Sequence, residues 1–141
     1  QNGVFSHAGP TSKRTELMQA YLAVAIGGAL GACCRFGLGE FILHLCGKSF
    51  PFATLLVNIL GSFVLGLLYG LFLAEHLTVN PWKTLIGVGF LGAFTTFSTF
   101  SLDTVLLLQQ GELVKAGLNV VLNVLVCLTL AWLGLKLGSM K

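Results

Sequence analysis

The segment Thr95-Thr96-Phe97-Ser98-Thr99-Phe100-Ser101 places five hydroxyl groups and two phenyl rings in seven consecutive positions. A hydroxyl can donate one hydrogen, and the edge of a phenyl ring carries the positive part of its quadrupole. Phe97 and Phe100 stand three apart, so they share one face of a helix. Two more sets of polar groups interrupt apolar runs. Asn58 stands alone in one of them, and Asn119, Asn123 and Cys127 recur every fourth residue as a single helical stripe. No charged side chain occurs within 49–74, 84–102 or 116–135. A path through these groups would therefore be lined by neutral donors. That chemistry suits a small anion, since cation paths more often use carboxylates or rings of carbonyls. Each element also has a plainer reading: Asn58 as an interhelix fastener, the two phenylalanines as packing or lipid-facing surface. Three independent polar elements in so apolar a chain favour one shared polar track.

Chemistry of other kinds finds no footing. Cys33, Cys34, Cys46 and Cys127 make no CxxC pair and have no His or carboxylate at ligand spacing. His44 and His76 fall near the ends of apolar runs, and there is no Ser-His-Asp set and no phosphate loop. A non-enzyme is expected, with no nucleic-acid partner.

The elements that must hold these residues are set by charge spacing. Among 141 residues only 8 are Lys or Arg and 5 are Asp or Glu, far below the roughly 25% of an average soluble domain. Mean hydropathy is +0.90. So small a soluble fold could not cover its exterior with polar groups. The uncharged stretches number 18 residues between Glu16 and Arg35, 26 between Lys48 and Glu75, 19 between Lys83 and Asp103, and 20 between Lys115 and Lys136. Each reaches the ~18–20 residues that cross a hydrocarbon core. Four transmembrane helices are predicted, at about 18–45, 51–74, 82–109 and 113–138, joined by short turns at Gly47-Lys48-Ser49, Asn80-Pro81 and Gln110-Gly111. Residues 1–17 read as a flexible tail, plausibly an expression-vector remnant, and 18–141 as the membrane domain.

The third span is poorly suited to an unbroken helix. Gly87, Gly89 and Gly92 each weaken it by roughly 1 kcal/mol relative to Ala, and the hydroxyl run competes for backbone groups. A local break around Gly92–Thr96 is the physical expectation. The alternative, a continuous helix with hydroxyls bonded back to the preceding turn, is slightly favoured on propensity alone. In lipid, freed backbone groups need partners, so a break belongs where it lines a cavity or holds an ion.

Four spans put both termini on one side. Without the tail, that side carries Lys83, Lys136 and Lys141, and the other carries Lys48 and Lys115 with Arg35 nearby. The positive-inside bias is then near zero, which fits either a charge-poor protein or insertion in both orientations. Lys13 and Arg14 would break the balance if the tail is native. Small-residue ladders, Gly27-x-x-x-Gly31, Gly28-x-x-x-Ala32 and Ser62-x-x-x-Gly66-x-x-x-Gly70, allow close helix approach within a chain or between copies.

The segments GGALGACCRF (27–36), PFATLLVNILGSFVLG (51–66) and GFLGAFTTFSTFS (89–101) resemble the bacterial fluoride channel family known as CrcB or Fluc. The resemblance covers nearly everything after the tail, and the TTFSTFS segment is its most specific part. It implies an all-α membrane protein of four transmembrane helices with the third broken near mid-membrane, assembled as an antiparallel, dual-topology homodimer in the bacterial inner membrane. It implies passive, selective export of fluoride through two pores. The pore residues would be Phe97, Phe100 and Asn58, with Ser98, Thr99, Ser101 and Asn123 in or beside the polar track. Arg35 would lie at an aqueous vestibule with Asp103, which stands where relatives commonly carry glutamate. A structural Na+ on the dimer axis would be held by the backbone carbonyls of Gly92 and Thr95. The rival reading is a proton-coupled carrier of four helices. It needs a titratable carboxylate deep in the membrane, whereas Glu40 and Asp103 lie toward span ends.

Overall fold

The computed structural model describes residues 9–140, which form four helices long and apolar enough to cross a membrane. They are Pro10–Cys46, Phe52–Leu73, Lys83–Gln109 and Leu113–Gly138, called here the first to fourth spans. Three of the four agree with the charge spacing to within a residue or two at either end. The first does not. It begins at Pro10, with proline in the first turn where its missing N–H costs nothing. Residues 10–17, expected as flexible tail, are helical instead, and residues 1–8 lie outside the described residues.

This first helix has 37 residues, roughly 55 Å at 1.5 Å per residue, against a hydrocarbon core of about 30 Å. Its overhang is at the N-terminal end. A Cβ on Gly89 would meet the Val24 carbonyl and Gly27, so Gly27 lies level with a residue two turns into the third span. The turns carrying Lys13, Arg14 and Glu16 therefore project beyond the level of Lys83. Local bonds suffice to continue the helix there, including Thr15 Oγ1 donating to the Thr11 carbonyl at 3.0 Å.

The spans pack in two tight pairs. On the first span, Gly27 and Gly31 lie against the carbonyl oxygens of Leu85 and Phe90 of the third. On the second, Gly66 and Gly70 lie against the Ala131 and Leu135 carbonyls of the fourth. Gly134 and Gly138 return the contact onto Phe63 and Leu67. At Gly134 a side chain would drive into the backbone of Phe63 and Leu67 on the second span, so the helices can touch only with glycine there. The ladders read from the sequence thus serve packing within the chain for Gly27-x-x-x-Gly31 and for Gly66-x-x-x-Gly70. Gly28 has only ordinary contact with the Gly89 carbonyl.

Few large apolar side chains are buried, chiefly Leu55, Val57, Leu68, Leu91, Phe94, Phe100 and Leu107. Leucine, valine and phenylalanine dominate the exterior instead, as a lipid-facing surface requires. Two segments depart from regular winding. Lys83–Leu91 and Leu122–Val126 are wound in the wider π form, a local geometry that recurs at functional sites. Between Gly92–Phe94 and Phe97–Gln109 the backbone is extended, with Thr95 at φ −82°, ψ 158° and Thr96 at φ −151°, ψ 117°.

Candidate functional site

The extended pair Thr95–Thr96 leaves backbone groups that helical bonding would otherwise use. Two of them are taken by one side chain. Asn58 Oδ1 accepts the Thr96 N–H at 2.8 Å, and Asn58 Nδ2 donates to the Thr96 carbonyl at 3.1 Å. The carboxamide thus pairs with Thr96 as a neighbouring strand would. A buried N–H or C=O left unpaired costs about 1–3 kcal/mol, so Asn58 offsets much of the cost of departing from the helix. Thr96 also caps the helix Phe97–Gln109. Its hydroxyl oxygen accepts the Thr99 N–H at 3.2 Å, and its hydroxyl hydrogen goes to Thr99 Oγ1 at 3.0 Å. Thr95 Oγ1 turns the other way and donates to the Leu91 carbonyl at 3.0 Å.

Around this point the second, third and fourth spans enclose a groove of about 380 Å³. Its walls include Asn58, Ser62, Thr95, Thr96, Phe97, Phe100, Asn123 and Cys127, and no charged side chain. The rings of Phe97 and Phe100 are tilted by 60°, with centroids 5.4 Å apart. Phe100 is only 9% exposed, whereas Phe97 is 78% exposed and stands on the outer surface of the chain. The N-terminus of Phe97–Gln109, the positive end of a helix dipole, opens at the same place.

Two further cavities continue from the groove in series. One of about 400 Å³ holds Arg35 and Glu40 with Thr54, Val57, Thr96 and Thr99. Another of about 290 Å³ holds Lys48, Thr54, Asp103 and Gln110. Thr96 is common to the groove and the first of these, and Thr54 to both side cavities. Arg35 and Asp103 thus line neighbouring cavities and not one. Thr54 Oγ1 donates to Asp103 Oδ2 at 2.7 Å.

The residues singled out from the sequence divide into two groups. The structure brings Asn58, Phe97, Phe100, Asn123 and Thr95 to the groove, and Thr99 to the cavity beside it. Ser101 is turned away: its hydroxyl donates to the Phe97 carbonyl at 2.9 Å, the local back-bonding expected of an unbroken helix. Ser98 lies 3.4 Å from the Thr96 hydroxyl. Neither Ser98, Ser101 nor Gly92 lines the three cavities. The stripe on the fourth span also splits, since Asn123 and Cys127 reach the groove while Asn119 is 0% exposed.

Thr54 and Ser62 were not anticipated as lining residues. Their signal was present, since Thr54, Asn58 and Ser62 recur every fourth residue and share one face of the second span. Among the described residues no three His, Cys, Asp or Glu side chains cluster as metal ligands. A cation here would have to be held by other oxygens. The Gly92 carbonyl is a fitting donor, because the Thr96 N–H that would close its helical bond is given to Asn58.

Comparison with known proteins bears on this arrangement. A family model described as CrcB-like protein, Camphor Resistance (CrcB), matches residues 22–135. The chain is 58% identical over 118 residues to a protein of Pseudoalteromonas translucida (strain TAC 125), covering 84% of this chain and 98% of the relative. A Shewanella amazonensis (strain ATCC BAA-1098 / SB2B) relative is 56% identical over 121 residues, covering 85% and 96%. One from Vibrio vulnificus (strain YJ016) is 55% identical over 114 residues, covering 81% and 90%. All three relatives bear the name fluoride-specific ion channel FluC.

Proposed function

The chain belongs to the CrcB-like protein family, and on that premise we propose that it is a fluoride-selective channel, a multi-pass membrane protein and not an enzyme. The observation that carries the reading on this chain is the uncharged groove where Asn58, Phe97 and Phe100 meet the capped start of a helix. Fluoride is small and strongly hydrated, so a pore must replace its water with closely placed donors. Ring edges of Phe97 and Phe100, the helix N-terminus and the Thr99 hydroxyl are such donors. The Thr99 oxygen already accepts from Thr96, which leaves its own hydrogen to give. Because no charged side chain lines the groove, the anion is not trapped on one, and a narrow path excludes larger anions. Transport is passive: an inside-negative potential drives fluoride out and lowers its cytoplasmic level.

Asn58 enters this mechanism differently from a simple pore donor. Both of its N–H groups are committed, one to Thr96 and one to Asn123 Oδ1 at 2.9 Å. Its part is to hold the extended backbone that aims Phe97 and Phe100. Arg35 at the 400 Å³ cavity and Asp103 at the 290 Å³ cavity border the approach, as a vestibule would.

The working unit is an antiparallel homodimer in the bacterial inner membrane, with the third-span break near mid-bilayer. Two features support this. The groove opens on the outside of the single chain, and Phe97 stands largely exposed at its edge. A second copy walls the path, and the small Lys and Arg bias of 18–141 permits both orientations. Carbonyls of Gly92 and Thr95, at the negative end of the first half of the third span, are the donors that suit a structural Na+. Such an ion supplies a fixed positive charge that ties the broken helices together.

Fluoride release from proteoliposomes, followed with a fluoride electrode under a fluoride gradient and membrane potential, tests the channel reading. Fast release is expected. Release no faster than from protein-free vesicles, with folded protein present, overturns it, and turnover seen only in exchange for protons favours a carrier. For the assembly, a single cysteine replacing Lys48 in a chain without the native cysteines should react with an impermeant maleimide from both membrane faces. Labelling from one face alone would refute dual topology. Replacing sodium by a bulky organic cation throughout purification should slow release or dissociate the pair. If it does neither, the sodium assignment fails.

A further inference from the structure

The carboxamides of the second and fourth spans do more than line a groove. Thr96 N–H donates to Asn58 Oδ1 (2.8 Å), and Asn58 Nδ2 donates to Asn123 Oδ1 (2.9 Å). Asn123 Nδ2 donates to Asn119 Oδ1 (3.0 Å), and Asn119 Nδ2 donates to Thr104 Oγ1 (3.0 Å). Finally, the Thr104 hydroxyl donates to the Phe100 carbonyl (2.8 Å). These five hydrogen bonds all run in one direction. Their ends decide that direction, because a backbone N–H can only donate and a backbone carbonyl can only accept. Turning any one amide over would set two donors or two acceptors face to face. Every orientation is therefore dictated by Thr96 at one end and Phe100 at the other.

We propose that Asn119 and Thr104 are positioning residues for conduction: they complete a one-way hydrogen-bond relay that locks the Asn58 carboxamide onto Thr96 and ties that clamp to the Phe100 turn. Asn119 is fully buried and lines none of the three cavities, so it acts through its neighbours and not on the anion. Its backbone carbonyl strengthens the joint by accepting the second Asn123 N–H at 3.0 Å. Asn123 lies in the π-wound turn of the fourth span, which leads the stripe from the buried relay to the groove. Thr104 lies one turn beyond Phe100 on the same helix, so the relay loops from the break, through two other spans, back onto the helix the break begins. Satisfied networks of this kind hold one arrangement, because every alternative leaves a buried polar group unpaired.

The inference rests on the channel reading, and the test separates the two. Thr104→Val removes the hydroxyl at nearly constant shape, and Asn119→Leu removes the amide. Each should slow fluoride release about fivefold, the order expected for one lost hydrogen bond. The double variant should be no slower than the worse single, because both cut the same chain. Thr104→Ser, which keeps the hydroxyl, should restore the rate. A single variant at the wild-type rate, multiplying effects in the double, or a serine variant as slow as valine would overturn the relay. Hydrogen exchange at the Thr96 amide in the full-length protein supplies a second measurement. Exchange should be faster in Thr104→Val than in wild type, and unchanged exchange overturns the proposal even if Asn119→Leu does not fold. Wild-type protein without fluoride release would sink the channel reading alone, since exchange at Thr96 still judges the relay.

Discussion

Asn58→Leu should abolish measurable fluoride release and lower stability more than any other single change in the groove. Leucine fills nearly the same space but offers nothing to the Thr96 N–H and carbonyl, which Asn58 holds at 2.8 and 3.1 Å. A fully buried backbone group without a partner costs about 1–3 kcal/mol, and these two part-buried groups each approach the lower end of that range. The chain can avoid that cost only by rewinding the third span, so that the Thr96 N–H returns to the Gly92 carbonyl. Rewinding turns Phe97 and the residues after it away from their present directions, and conduction is lost with them. Asn123 Oδ1 loses its donor as well, since it accepts from Asn58. Thermal unfolding of the purified protein and release from proteoliposomes would check both halves. Wild-type release by Asn58→Leu would mean that the clamp is dispensable.

Phe97→Ile and Phe100→Ile should both impair conduction, but only the second should touch stability. Isoleucine presents hydrocarbon where the ring presents a positive edge. A ring-edge interaction is worth about 1 kcal/mol, so each substitution should slow fluoride about fivefold, and the double more. Phe97 is 78% exposed on the chain, and its removal leaves no internal void. Phe100 is 9% exposed, so its replacement should cost up to about 1.5 kcal/mol as an imperfect core swap. Comparing release rates with melting temperatures for the two variants separates pore lining from packing. Equal losses of stability would contradict the different surroundings of the two rings.

The spans were legible because the bilayer reads composition in long windows. Eighteen or more uncharged residues between charges specify a crossing whatever the packing, and the helices at 52–73, 83–109 and 113–138 needed nothing further. The start of the first helix was not legible in this way. Residues 10–17 lie outside the apolar window, and their helix rests on a proline in its first turn and on continuation from the span. At the break, composition alone left two outcomes open, because glycines and hydroxyls around Gly92–Thr96 weaken a helix without deciding whether it yields. The outcome is set by Asn58, distant in sequence by 38 residues, reaching Thr96.

The same limit applies to the polar stripe. Spacing by four put Asn119, Asn123 and Cys127 on one face of a helix, yet the face is partly sealed. Asn119 is buried against Thr104 while Asn123 and Cys127 meet the groove. Ser101 was equal to Thr99 by type and neighbourhood, but bonds back to its own helix while Thr99 faces a cavity. Charge spacing and apolar length specify the solvent, the number of crossings and the inventory of neutral donors, because these depend on the chain's content and not on its contacts. Which donor faces the path and which is spent inside the protein depends on partners far apart in the chain. A hydroxyl or carboxamide has nearly the same propensity in either role, so only the packing of the second, third and fourth spans decides it.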